Sequence, residues 1–313
     1  MQEITYTALL GNVDKSILHI NLGDGFSIEE WTMESFVDFY EQTYSAAEHD
    51  IWFKFDSDWG YGHGSIYRPK YVYVVTKELE SFPPCNHGKD IDKWMKSLRE
   101  RGEFESKVSN SLEDKVTKLR LYSEGSIKVC VEIFSSKDGD NVEMESGREE
   151  LLHCENRPYK VRKSDIAKIN TLLNTPPLHT RHKYIYFALE NFAQSYRVAH
   201  IELEFITLMI ALEALFNDGK QELRNKVSRG CAVLLGKSKP SSRKIFKDIK
   251  GLYDKRSELV HTGDKSKIEN SDLLLLKNYL RTSLLRVVEL DLPKQELSMQ
   301  LSENGFGAYK KIG

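Results

Sequence analysis

Residues Phe205 to Phe216 read FITLMIALEALF, a run of twelve in which only Thr207 and Glu213 are polar. Nothing else in the chain is so apolar, and the run is too short to cross a hydrocarbon layer about 30 Å thick. A helix that is apolar nearly all round must be surrounded by other elements, so this segment is expected at the centre of a helical bundle. Glu213 then needs a cation, because a buried charge without one is costly. Arg224, Arg229 and Arg256 are the candidate partners.

The companions of that helix stand on both sides of it. SDIAKINTLLN, capped by Ser164 or Asp165, stops at Pro176 and Pro177, and KYIYFALENFAQSYR follows. KQELRNKVSRGCAVLLG ends at Gly236, PSSRKIFKDIKGLYDKRSELVH opens on Pro240 and ends before Gly263, and NSDLLLLKNYLRTSLLRVVEL closes before Pro293. The expectation is a bundle of five or six helices over residues 160–292, with a polar, peripheral tail at 293–313.

The first 150 residues follow a different pattern. ITYTALL and SILHINL alternate like strands, as do DIWFKFD and YVYVVTKEL, while ESFVDFYEQTY and IDKWMKSLRERGEF have helical spacing. KLRLYSEGSIKVCVEIF reads as a hairpin around Ser123–Gly125, and SSKDGDNVEMESG as a loop at the domain edge. The fold class expected is therefore α+β: a strand-rich domain at 1–150, then the helical bundle.

Formal net charge is only −2, but its distribution is uneven. From Asp218 to His261 there are 12 Lys and Arg against 5 Asp and Glu, a local +7 that leaves about −9 for the rest. Such a segment is either a polyanion footprint or a set of solvated helix faces. Cys85, Cys130, Cys154 and Cys231 form no C-x-x-C pair, which suits reduced thiols in a cytoplasm and argues against a zinc site. MQEITYTALL has no basic and then apolar pattern of a signal peptide, and no membrane partner is expected.

Near the end of the bundle stands YDKRSELVHTG, with Tyr253, Arg256, Ser257, Val260, His261 and Gly263. Together with IALEALF around Glu213 and the basic LRNKVSRGCAVLLG, in that order over roughly residues 180 to 290, it resembles the HEPN superfamily, and within it the ApeA-like HEPN domains. The strand-rich half is compatible with the domains that precede such modules. The resemblance implies a metal-independent ribonuclease acting as a homodimer or higher even oligomer, in antiviral or toxin-like defence. It also implies a viral or phage-derived activator at the N-terminal domain. It assigns Arg256, His261 and Ser257 to catalysis, with Glu213 and Tyr253 in support.

The chemistry of these residue types fits that implication. Cleavage by a 2′-hydroxyl needs proton transfer near neutral pH, which histidine provides, and a phosphate clamp, which the arginine fork provides. No cofactor is expected. One geometric difficulty stands: residues five apart lie about 140° around a helix, so Arg256 and His261 do not share a face unless His261 lies past the helix end or a second copy completes the site. Without the resemblance, His261 is a helix C-terminal cation and Arg256 a surface ion pair with Asp254 or Glu258. Lys220, Arg224, Lys226, Arg229, Arg243, Lys244, Lys247 and Lys255 are the candidate RNA-backbone contacts.

Two other readings belong to different classes: a non-catalytic module that dimerises or binds RNA, nucleotide or protein, and an enzyme seated in the N-terminal half, for which no motif speaks. DWGYGHG lacks the Lys-Ser/Thr of a phosphate loop, and Cys85 with His87, or His153 with Cys154, lack zinc spacing. Trp52, Phe53, Phe55, Trp59, Tyr71 and Tyr73 read as core and sheet face rather than a base-stacking platform.

Overall fold

The computed structural model describes residues 3–44, 69–81, 83, 90–138, 141–149, 158–198, 200–217, 219 and 222–312. The chain divides into two compact units, Met1–Thr175 and Pro176–Gly313.

The first unit is built on an antiparallel sheet of order β2-β3-β1-β4-β5. Its strands are β1 (Glu3–Gly11), β2 (Ser27–Thr32), β3 (Tyr71–Leu79), β4 (Lys128–Asp138) and β5 (Asn141–Glu149). The central β1 pairs β3 from Ile4↔Leu79 to Leu10↔Tyr73 and pairs β4 on its other side. Alternation gives the sheet two apolar faces. Tyr6, Ala8, Val75, Val129 and Phe134 share one core with Val108, Leu112, Val116 and Leu119 of α2 (Ile91–Arg120). Leu9, Val72, Val74, Val131 and Ile133 share the other with Met33, Phe36, Val37 and Tyr40 of α1 (Met33–Tyr44).

Several expectations are corrected here. The run KLRLY is the end of α2, because Leu112, Val116 and Leu119 fall at helical spacing on its buried side, so only KVCVEIF is a strand. The polar segment expected as a loop is strand in its described parts: Ser135 to Asp138 end β4 and Asn141 to Gly147 make most of β5, an edge strand. SILHINL is a 3₁₀ turn over Lys15–His19, capped by Asp14, with Ile17, Ile20 and Leu22 buried.

The unit boundary falls after Thr175 rather than near 150. The helix α3 (Ile166–Leu173), expected to open the bundle, packs Ile169 and Leu173 into the sheet unit's core. Two buried lysines of α2 hold its end: Lys115 Nζ donates to the Leu173 carbonyl at 2.8 Å and Lys118 Nζ to that of Thr175 at 3.0 Å. Cations at the carbonyl end of a helix satisfy groups left without intrahelical partners. DIWFKFD, DWGYGHG, Trp52, Phe53, Phe55, Trp59, Cys85, His87, His153 and Cys154 lie outside the described residues.

The second unit contains α4 (Lys183–Ser195), α5 (Ile201–Phe216), α6 (Leu223–Leu235), α7 (Lys239–Thr262), α8 (Asn270–Leu290) and α9 (Lys294–Glu303). The apolar run is α5, with Phe205, Leu208, Met209, Leu212 and Leu215 fully buried. Helix α6 approaches it closely at Gly230, where a Cβ would stand 2.7 Å from the Phe216 ring. The pair Lys277–Glu204 ties α8 to α5. The tail is not peripheral: α9 buries Leu297 and Leu301, Ile312 is buried beyond it, and Lys294 donates to the Ala214 carbonyl at 2.6 Å. Its few apolar residues are spaced to meet one neighbour, which composition alone conceals.

Candidate active site

Helix α7 carries the Arg-x4-His motif. It opens on a reciprocal cap between Ser238 and Ser241 with Pro240 in its first turn. It closes at Gly263, whose φ of +72° is the left-handed conformation glycine adopts freely, with its N–H on the Leu259 carbonyl at 2.9 Å. His261 is therefore inside the last helical turn, not beyond it.

That position preserves the difficulty posed by the spacing. The buried side of α7 is defined by Ser242, Ile245, Ile249, Leu252 and Leu259. At about 100° per residue Arg256 falls in the middle of this arc, while Ser257 and His261 lie about 100° and 140° away. Arg256 is correspondingly held: its Nε lies 3.6 Å from Glu213 Oε1, with side chains 26% and 18% exposed. Glu213, near the end of α5, has thus taken Arg256 as its cation. The Arg256 guanidinium carbon is also 5.8 Å from the centre of the Tyr253 ring. Burial raises the Tyr253 phenol above its ordinary pKa, and the Glu213 carboxylate adds to the rise.

At 3.6 Å the contact between Glu213 and Arg256 is an ion pair and not a hydrogen bond: Glu213 Oε1 and Arg256 Nε are both buried without a hydrogen-bond partner among the described residues. Ser257 beside it is half-buried. His261 is exposed and makes no hydrogen bond or ion pair among the described residues. Val260, next to it in the chain, is 50% exposed; Leu203 at the start of α5 is 50% exposed too, and Lys265–Glu202 at 3.2 Å joins the loop after α7 to that part of α5.

The candidate RNA contacts separate into distinct groups. Arg229 is a correction: it donates to the carbonyls of Leu301, Ser302 and Asn304, so its fork caps α9. Lys255 is another, half-buried against Asp272 of α8 at 2.6 Å. Arg224 pairs with Asp254 at 3.0 Å and Lys244 with Asp248 at 2.6 Å. Arg243 and Lys247 stand exposed on α7, Lys226 is half-buried on α6, and Lys220 lies outside the described residues. Lys239 and Lys250, exposed on the same helix as Arg243, were missed, although a 3.6-residue count along α7 singles them out.

A groove of about 600 Å³ lies elsewhere, in the first unit, lined by Trp31, Phe39, Glu30, Asp38 and Gln42 among others. It contains none of the motif residues. Among the described residues no group of three or more His, Cys, Asp and Glu side chains converges as a metal site requires, and no helix is long and apolar enough to cross a membrane. Cys231 is buried beside Ser283, and burial pushes its thiol up to about 12. Comparison of the chain with family models, with curated proteins and with solved structures finds no match.

Proposed function

We propose that the protein is a HEPN endoribonuclease whose reaction centre is completed by two copies of the chain. The observation that carries this reading is the opposed setting of the two motif residues on one helix: Arg256 is paired with Glu213 on the buried arc of α7, and His261 stands in solvent about 140° away. Across a two-fold axis, two such helices supply two arginine forks and two histidines. Val260, next to His261 in the chain, and Leu203 at the start of α5 are exposed apolar side chains that would provide area for that contact.

In this proposal one His261 takes the proton from a ribose 2′-hydroxyl as its oxygen attacks phosphorus. The phosphorus–O5′ bond breaks, and the His261 of the second copy protonates the departing oxygen. Arg256 holds the two non-bridging oxygens, and Ser257 lies beside it. The products are a 2′,3′-cyclic phosphate and a 5′-hydroxyl. The first unit receives an activator, viral or phage-derived in the family reading.

The Glu213–Arg256 pair also favours a second reading, a non-catalytic dimerisation and binding module in which Arg256 is structural. The test is cleavage of mixed structured RNAs in EDTA by the wild type and His261→Ala. Cyclic-phosphate ends from the wild type alone are expected. Equal cleavage by both, or a strict magnesium requirement, refutes the proposal.

A further inference from the structure

The exposed side of α7 has an order that the motif does not explain. Counting about 100° per residue from Lys239, the side chains of Arg243, Lys247, Lys250, Ser257 and His261 fall within an 80° arc, roughly, of the helix. The four cations are all exposed. One acid interrupts the arc, Asp254, and it is paired with Arg224 of α6 at 3.0 Å. The result is a cationic ridge over the first half of α7, from Lys239 to Lys250, on the same arc that carries Ser257 and, about 33 Å from its start, the candidate proton-transfer residue His261.

The C-terminal tail extends the ridge. Gly307 N–H donates to Ser242 Oγ at 3.0 Å, the Phe306 ring packs tilted by 50° against Phe246 at 5.8 Å between centroids, and Lys237 Nζ lies 5.9 Å from the centre of the Tyr309 ring. These contacts bring Lys310 and Lys311, both exposed, to the end of the unit where α7 begins. There the positive end of the helix adds to them.

We infer that this ridge, Lys239–Arg243–Lys247–Lys250 with Lys310 and Lys311, is a track for the phosphate backbone of single-stranded RNA leading to His261. The inference rests on the nuclease proposal for the identity of its polyanion. A linear row of cations, with half-buried Phe246 among them, suits an extended backbone and an unstacked base. An anionic membrane is a poorer fit. A surface-lying helix buries its apolar face in lipid, and that face of α7, with Ile245, Ile249 and Leu252, is already buried in the bundle.

The experiment uses the full-length chain carrying His261→Ala, so that no cleavage intervenes. Binding of a labelled single strand of about 12 nucleotides is measured against salt. Six phosphate contacts give a log–log salt slope of about −4, at about −0.7 per contact. Arg243→Gln/Lys247→Gln/Lys250→Gln is expected to flatten the slope to about −2 and to weaken binding at low salt by about tenfold or more. Lys310→Gln/Lys311→Gln is expected to flatten it by about 1.4. The exposed lysines Lys163, Lys168 and Lys183, changed together to Gln, control for bulk charge.

Equal losses in the control, or an unchanged slope in the ridge variant, overturn the inference. So does ridge-dependent binding to phosphatidylserine vesicles with no affinity for RNA. If the His261-bearing wild type binds RNA through the ridge yet releases no cyclic-phosphate ends, the ridge stands and the nuclease proposal falls.

Discussion

Arg256→Ala should lower the stability of the helical unit as well as abolish cleavage. The side chain lies in the buried arc of α7, its Nε is 3.6 Å from Glu213, and the two side chains are 26% and 18% exposed. A pair of this kind stands between exposed ion pairs, worth about 0–1 kcal/mol, and fully buried ones, where removing one partner costs about 3–5 kcal/mol. The expected loss is about 1–3 kcal/mol, or a melting temperature lower by about 3–9 °C. Thermal melts of wild type, Arg256→Ala, Glu213→Gln and the double variant give the coupling directly, with about 1–2 kcal/mol expected. Arg256→Lys separates the two roles: it keeps the charge over Glu213 and recovers part of the stability, but it lacks the planar fork and does not recover cleavage. A melting temperature for Arg256→Ala within about 1 °C of wild type, with additive effects in the double variant, refutes this placement of the arginine.

His261→Ala removes an exposed side chain and should leave the melting temperature within about 1–2 °C while ending cleavage; a large destabilisation contradicts its solvent-facing role. Arg229→Ala frees the end of α9 and should cost about 1–3 kcal/mol, with faster proteolysis of residues 294–312; undiminished protection of that segment counts against the cap. The bundle should also weaken in alkali. Burial raises the Cys231 thiol from 9.0 to about 12, and burial with Asp248 raises the Tyr279 phenol above 10.0, so the folded state holds protons the unfolded chain releases. That contribution is complete below about pH 9 and is lost as pH climbs from the ordinary values toward the raised ones. Urea midpoints should therefore fall between about pH 9 and pH 11, and less steeply in Tyr279→Phe; a flat profile refutes the assignment.

The sequence showed most where one physical cause dominated. An all-apolar run permits only a central helix, and Phe205 to Phe216 occupies that place. The stop at Gly263 and the start at Pro240 were readable because each depends on local backbone chemistry. The misreadings came where two causes compete. The run at 118–122 alternates like a strand, yet its phase relative to Leu112 and Val116 makes it helix. The segment Asn141–Gly147 looked like a loop because its composition is polar, while its place at the sheet edge is set by pairing with β4, which composition does not report. For the candidate site, the sequence identified Arg256 and His261 and the angle between them, and left three cations as possible partners of Glu213. Only the packing of α7 on α5 shows that Arg256 is the one. Arg229 and Lys255 looked like surface cations because their acceptors, the carbonyls at the end of α9 and Asp272, are distant in the chain.

The central claim is that two chains share one reaction centre with both histidines at work. The direct measurement is subunit poisoning: wild type is mixed with His261→Ala, allowed to exchange subunits, and assayed for cyclic-phosphate ends at constant total protein. If a mixed dimer is dead, an equal mixture retains about one quarter of the activity and a one-to-three mixture about one sixteenth. Activity that instead falls in proportion to the wild-type fraction, to about one half and one quarter, means that each chain acts alone and contradicts the account.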